Sequence, residues 1–144
     1  MRHFLGQGIG LALVLGGCAV GPNASFVQAT NPADNDVIAT AVTGFLHTEM
    51  PAARSTVIVE PSASGDQALL GLVRADLRRQ GFAVAEPGSG APDAEAVRLL
   101  VTPLAGGLVV RLDYGSGQAG TFFGRDASGR LQPSSPFVRR VAAQ

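Results

Sequence analysis

The chain has 144 residues, of which 46% are hydrophobic and 15% charged, and it therefore holds enough apolar side chains for the core of one globular domain. Eleven arginines balance eleven acidic residues, there is no lysine, and the formal net charge is zero. This balance lacks the basic surface with which nucleic-acid-binding proteins displace phosphate counterions, so we expect no nucleic acid among the partners.

The first 17 residues are typical of a secretory signal peptide. Arg2 precedes a glycine-rich apolar stretch over residues 4–15, which is shorter than the about 20 apolar residues of a membrane-spanning helix. The stretch ends in Leu15-Gly16-Gly17-Cys18, which resembles a bacterial lipobox. The resemblance implies cleavage before Cys18 and its acylation with diacylglyceryl and a further chain such as palmitate. Two or more acyl chains anchor a protein stably, where one is marginal.

The residue after the cysteine bears on localisation. Lipoproteins retained in the inner membrane carry aspartate there, and this chain has Ala19. The resemblance therefore implies a lipid anchor in the outer membrane, with the protein facing the periplasm. The alternative is an ordinary signal peptide followed by a small buried cysteine.

Residues 18–31 contain several turn-forming residues and no hydrophobic period, which predicts a lipidated tether. Residues 32–144 are the predicted periplasmic domain. Its first element is a helix from Pro32 to about Met50, capped by Asn31. Apolar residues form one stripe on this helix: Val37, Ile38, Ala41, Val42 and Phe45.

A short strand follows in "STVIVEP", and its three consecutive aliphatic residues suit an interior strand covered on both faces. The next segment, "SGDQALLGLVRADLRRQGF", predicts a helix capped by Asp66 or Ser64 and ended by Gly81. Its inward residues are Leu69, Leu70, Val73 and Leu77. The strand "FAVAE" comes next, so residues 55–86 predict a β-α-β unit.

The remaining strands alternate apolar and polar residues. "AVRLLVTPL" and "GLVVRLDYG" are joined by a glycine-rich hairpin turn, and "AGTFFGR" and "RLQPSSPFVRR" follow. Pro133 and Pro136 cannot donate ladder hydrogen bonds, so the last strand should be short, broken or at an edge. The fold class predicted is α+β: a small single domain with a β-α-β unit, an antiparallel β-meander and helices packed on one face of the sheet.

Few residues offer catalytic chemistry. His47 would be the one histidine of the mature chain, and it falls near the end of a predicted helix, where a solvated side chain is expected. Acidic residues are scattered singly, which does not fit a metal site. The glycine-rich segments lack the lysine and hydroxyl residue of a phosphate-binding loop. We expect no cofactor, no metal and no enzymatic activity.

Partner binding is the remaining hypothesis. Phe122 and Phe123 are adjacent on a predicted strand, so their rings point to opposite faces. One ring joins the core, and the other contacts either a covering helix or a partner. Phe137, Arg139 and Arg140 form an exposed recognition segment or a plain edge. These five residues are the predicted partner-binding residues.

The order of the lipobox, the first helix, "GDQALLGLVRADLRRQGFAV" and "YGSGQAGTFFGRDASGRLQPSSPFVRR" resembles the conjugal transfer lipoprotein family TrbH. The resemblance covers most of the mature chain. It implies a non-enzymatic structural or assembly subunit of a type IV secretion apparatus for mating-pair formation and plasmid transfer, bound to other channel proteins. The alternatives are an assembly lipoprotein of another envelope machine, such as a secretin pilot or a cell-wall synthase activator, and a periplasmic hydrolase.

Overall fold

The computed structural model describes residues 23–28, 30–64, 66–115 and 117–141. Within them the chain forms two α-helices, a 3-10 helix and eight strands. In chain order these are β1 (Phe26–Val27), α1 (Pro32–Glu49), the 3-10 helix (Ala52–Arg54), β2 (Thr56–Val59), α2 (Ala68–Arg79), β3 (Ala83–Ala85), β4 (Glu95–Leu104), β5 (Gly107–Tyr114), β6 (Gly117–Arg125), β7 (Leu131–Pro133) and β8 (Val138–Val141).

The strands form one mixed sheet in the order β3-β2-β4-β5-β6-β7. β2 pairs in parallel with β3 and β4, which confirms the predicted β-α-β unit. β4, β5 and β6 form the predicted antiparallel meander. β7 and β8 pair with successive parts of β6, so the final strand is broken and lies at the edge, as the two prolines predict. The α+β class is confirmed.

Alternate strand residues join both helices in one hydrophobic core. β2, β4, β5 and β6 bury every second side chain over most of their length, so the predicted alternation in β4 and β5 is confirmed. The inward helix residues predicted for α2 are all buried. The strand residues in the core are Val27, Val57, Val59, Val97, Leu99, Val101, Leu108, Val110, Leu112, Tyr114, Ala119, Phe123 and Leu131.

The sheet face opposite the helices is not covered by any element of the described residues. We call it the open face. The predicted cover on both faces of β2 is wrong, because β2 buries only alternate residues and Ile58 is part-exposed on this side. The open face consists of Arg98, Leu100, Thr102, Leu104, Val109, Arg111, Asp113, Gln118, Gly120, Phe122, Val138 and Arg140.

The buried stripe of α1 is rotated relative to the prediction. Ile38 and Val42 are buried as expected, but Leu46 is fully buried, while Val37 and Phe45 are only partly covered. The stripe turns because α1 packs along α2 as well as over the sheet. The apolar residues predicted the helix correctly. The direction in which its buried stripe faces depends on the elements that the helix packs against.

Polar contacts fix the start of α1. The Asn31 side chain accepts a hydrogen bond from the Asp34 amide at 2.9 Å, which confirms the predicted cap. The Asp34 carboxylate, almost fully buried, receives two hydrogen bonds from Arg125 at 3.0 and 2.7 Å. This hydrogen-bonded pair raises the pKa of Arg125 and joins the first turn of α1 to the end of β6.

The two candidate caps of α2 have different roles. Asp66 accepts a hydrogen bond from the Ala68 amide at 3.0 Å, whereas the Ser64 hydroxyl donates to the Val27 carbonyl at 2.7 Å. The N-cap position of α2 is Gln67, whose side chain makes no capping hydrogen bond, so the predicted cap at Asp66 or Ser64 is wrong. Asp66 instead binds the first amide of the helix, and Ser64 holds β1. At the other end of α2, Gly81 has a φ of +92°, as the predicted helix end requires.

Part of the predicted tether belongs to the folded domain. β1 pairs in parallel with β4, opposite Leu100 and Val101. Ser25 is fully buried, and its hydroxyl donates to the Glu60 carbonyl at 2.7 Å and accepts from the Leu99 amide at 3.1 Å. The ordered domain therefore begins before residue 32. Two strand residues carry too little periodicity to be recognised in a turn-rich segment.

Candidate functional site

The predicted lipidation residue, Cys18, lies outside the described residues, as does the predicted signal peptide of residues 1–17. The structure does place the first described residue. Asn23 lines a small cavity of about 260 Å³ whose other lining residues are Glu60, Ala96, Arg98, Asp113 and Gly115. Arg98 and Asp113 belong to the open face, so the chain enters the domain on that side of the sheet.

The structure separates the five predicted partner-binding residues into three environments. Phe123 is fully buried in the core, where its ring contacts no solvent. Its expected availability to a partner is therefore wrong, because β6 places residue 123 on the helix side of the sheet. Phe122, next to it, lies on the open face and is part-exposed. This pair confirms that the two rings point to opposite faces.

The Phe122 ring covers two glycines on the open face. Gly107 and Gly124 are direct cross-strand neighbours. A Cβ atom added to Gly107 would lie 2.9 Å from the Phe122 ring, and one added to Gly124 would lie 3.7 Å from it. An aromatic ring over a cross-strand glycine pair replaces the missing side chains and excludes water from the backbone.

Arg140 also lies on the open face, where β8 pairs with β6. A shallow depression of about 490 Å³ occupies this part of the face. Its apolar floor consists of Val109, Gly120, Phe122 and Val138, and Val138 is 65% exposed. Arg111, Arg140 and Asp113 line the same depression. Among the described residues, neither of these two guanidinium groups forms an ion pair.

The remaining charges on this side are distributed unevenly. Asp113 forms an ion pair with Arg98 across β4 and β5. Glu60 lies beside Asn23 at the end of the face. Arg111 and Arg140 thus offer guanidinium donors that can bind carboxylate or phosphate oxygens, next to an exposed apolar surface.

Phe137 and Arg139 are located on the other side of the sheet. The Phe137 ring packs 4.9 Å from Phe45 of α1. Arg139 forms an ion pair of 3.2 Å with Glu49, and the Tyr114 hydroxyl donates to the same carboxylate at 3.1 Å. Burial, together with this carboxylate, raises the pKa of Tyr114. These contacts fasten β8 to the end of α1, which is a structural role.

Among the described residues, His47 forms no hydrogen bond or ion pair with another side chain. It is exposed in the last turn of α1, and its ring lies 6.2 Å from that of Phe82 in edge-to-face orientation. Among the described residues, no three histidine, cysteine or acidic side chains lie close enough together to hold a metal ion. No helix in the same residues is long and apolar enough to cross a membrane.

Sequence reasoning missed the contribution of Arg111, Val109 and Val138 to the surface around Phe122. The alternation in β5 does place Arg111 and Val109 outward. What the sequence does not contain is the register that aligns Arg111 with Gly120 and Gly120 with Val138. A pairing between distant strands is a tertiary property, and short hydrophobic patterns do not encode it.

The family model described as conjugal transfer protein TrbH matches residues 20–141. No curated protein and no solved structure matches the chain.

Proposed function

Because the chain belongs to the TrbH family of conjugal transfer proteins, we propose that it is an outer-membrane lipoprotein and a non-enzymatic assembly subunit of a conjugative type IV secretion apparatus. The family match over residues 20–141 is the observation that carries this proposal. Membership assigns the chain to conjugal transfer, with partners among the proteins of that machinery. The anchor and the non-enzymatic role are the proposed refinements.

Two features support the lipid anchor. The segment Leu15-Gly16-Gly17-Cys18 has the aliphatic, small, small, cysteine order of a lipobox. The described domain then begins at Asn23, only five positions after the cysteine, and continues directly into β1. An acylated Cys18 would therefore hold a folded domain close to the bilayer.

The assembly role is supported by the way the domain is built. Ion pairs join the two ends of α1 to β6 and β8, through Asp34–Arg125 and Glu49–Arg139. Within the described residues, the exposed His47 forms no ion pair. The domain thus resembles a rigid module that presents surfaces, and those surfaces would bind channel or pilus proteins.

The proposal is tested by complementing a donor strain that lacks the gene. We expect the wild-type chain and His47→Ala to restore plasmid transfer, and Cys18→Ser to leave the outer-membrane fraction and to lower the transfer frequency. His47→Ala is the matched control, because its side chain is exposed and its loss leaves the core intact. Immunoblots of both variants check that they accumulate.

Each part of the proposal has its own contradicting result. Retention of Cys18→Ser in the outer membrane would exclude the anchor. Loss of transfer by an accumulated His47→Ala variant would favour the hydrolase. Cross-linking of the full-length protein in donor envelopes, read by mass spectrometry, identifies its partners. Recovery of secretin or cell-wall synthesis proteins instead of transfer proteins would favour an assembly lipoprotein of another envelope machine.

A further inference from the structure

The position of Asn23 determines which side of the domain lies nearest the proposed anchor. Asn23 shares its cavity with Arg98 and Asp113 of the open face. Five peptide units separate it from Cys18. An extended chain gains at most about 3.6 Å per residue, so the acylated cysteine lies within about 18 Å of this part of the open face. The two helices lie behind the sheet, on its far side.

We propose that the open face docks on an anionic phospholipid surface, the bilayer in which the acyl chains are anchored. This inference rests on the proposed acylation of Cys18. A protein partner on the same face would have to fit between the domain and a bilayer no more than about 18 Å from Asn23. The short connection therefore favours the lipid surface as the occupant.

The chemistry of the open face fits this occupant. Arg111 and Arg140 are exposed, and neither forms an ion pair in the described part of the chain. Guanidinium groups bind phosphate oxygens. Each basic residue near an anionic leaflet raises the ratio of docked to undocked protein about fivefold. Val138, 65% exposed, and Leu104, 57% exposed, supply apolar contacts at the same surface. Exposed aliphatic and aromatic side chains enter the boundary between headgroups and acyl chains.

The acidic residues do not cancel this attraction. Asp113 lines the same depression as Arg111 and Arg140, but its charge is neutralised by its ion pair with Arg98. Glu60 lies beside Asn23, away from the depression that Arg111 and Arg140 line. The arginines of α2 on the helix side of the sheet are neutralised instead. Arg78 pairs with Glu86, and Arg79 pairs with Asp76.

The test measures which side of the acylated full-length protein faces the lipid. The protein is reconstituted into phosphatidylcholine vesicles with or without phosphatidylglycerol, and a fluorophore is attached to a single new cysteine. Val138→Cys and Leu104→Cys place the probe on the open face, and Thr40→Cys places it on the exposed side of α1. Cys18 does not react when it is acylated. Lipids with a quencher at the headgroup report proximity.

We expect strong quenching at positions 138 and 104 in anionic vesicles and weak quenching at position 40. Replacing both Arg111 and Arg140 by glutamine should lower the docked-to-undocked ratio about 30-fold. The matched control, Arg78→Gln with Arg79→Gln, removes the same charge from α2 and should leave quenching unchanged. Phosphatidylcholine alone should give the result of the open-face double variant.

The outcomes separate the two proposals. A protein that does not float with the vesicles has no anchor, and the proposed function fails. A protein that floats but is quenched equally at positions 138 and 40 overturns the docking inference alone. If headgroup quenching is the same with and without phosphatidylglycerol, contacts of Arg111 and Arg140 with anionic lipid are excluded. Position 138 can also be tested by cross-linking in donor envelopes. If it cross-links to a protein there and its fluorophore is not quenched by lipid in vesicles, the open face binds a protein partner instead.

Discussion

Phe122 and Phe123 are neighbours in the chain, and β6 sends one ring to the open face and the other into the core. Their surroundings differ accordingly. Phe123 has no exposed surface, whereas Phe122 covers the Gly107–Gly124 pair and keeps one side toward solvent. At the scale of single residues, the strand period decides which aromatic side chain stabilises the fold and which one forms the surface.

Alanine substitution should separate these two roles. Phe123→Ala leaves a cavity in a closed core and is expected to cost about 3–5 kcal/mol of unfolding free energy. Phe122→Ala removes only the cover over two glycines, and about 1 kcal/mol or less is expected. The chain has no tryptophan, so circular dichroism during urea unfolding is the suitable measurement. Equal costs for the two variants would contradict the assignment of their rings to opposite faces.

Ser25 lies where β4 changes its neighbouring strand. The first part of β4 pairs with β2, and a later part pairs with β1. Ser25→Ala removes the partner of the Leu99 amide and of the Glu60 carbonyl. Burying an unpaired backbone group costs about 1–3 kcal/mol, so a loss in this range is expected. Ser89→Ala in an exposed loop is the control and should stay within about 0.5 kcal/mol of the wild type. A neutral Ser25→Ala would mean that water reaches these groups.

Asp126 organises the turn between β6 and β7. Its carboxylate accepts hydrogen bonds from the Ser128 hydroxyl and amide and from the Arg130 amide. These bonds, with the Ser128 hydroxyl contributing most, lower the pKa of Asp126 to about 2. Because the folded pKa lies below the ordinary value of 3.8, the stabilisation is complete above about pH 4 and disappears as the pH falls through 2.

Acid unfolding of Asp126→Asn tests this pH dependence. The asparagine oxygen still accepts hydrogen bonds but does not titrate. The wild type should therefore lose more stability than the variant between pH 4 and pH 2, as measured by urea midpoints at each pH. Parallel curves for the two proteins would show that the carboxylate contributes no pH-dependent stability to the turn.

At the scale of elements, sequence patterns predicted most of the architecture. The periods of α2, β4 and β5 identified their buried residues because those elements pack through one face only. The rotation of α1, the short strand β1 and the open side of β2 were missed. In each case a second neighbour or a distant pairing determines the outcome. Local patterns contain the element and its period but not the partner it meets.

Gly71 inside α2 and Gly81 just after its end allow a direct comparison of helix interior and helix end. Gly71 is exposed inside the helix, and a Cβ added there would meet nothing within 4 Å. Gly71→Ala should therefore stabilise the protein by about 0.5–1 kcal/mol. Gly81→Ala forces a side chain into a positive φ of +92° and should cost about 1–2 kcal/mol. Thermal unfolding measures both, and shifts of the same sign would contradict this description of the helix end.

At the scale of the whole molecule, the candidate surface arises from strand register and from the place where the chain enters the domain. Arg111 and Arg140 are 29 positions apart in the sequence, and β6 between β5 and β8 brings them to one depression. The sequence identified Phe122 and Arg140 as surface candidates. It could not separate them from Phe123, Phe137 and Arg139, because it does not show that these side chains lie on the opposite face of the sheet. On that face Phe137 and Arg139 contact α1.

Lengthening the connection to the proposed anchor tests the geometry of the whole molecule. A flexible insertion of about 20 residues after Pro22 makes the linker between Cys18 and Asn23 about five times longer. Because effective concentration falls as the −3/2 power of linker length, the effective concentration of the open face at the bilayer should fall about tenfold. The docked fraction of the open face, reported by the probe at position 138, should fall accordingly, while the unfolding free energy stays constant because β1 is unchanged. The same insertion after Gly90, in the exposed loop before β4, leaves the anchor distance unaltered and is the control. Undiminished docking with the long linker would mean that the open face binds lipid strongly enough without its short connection.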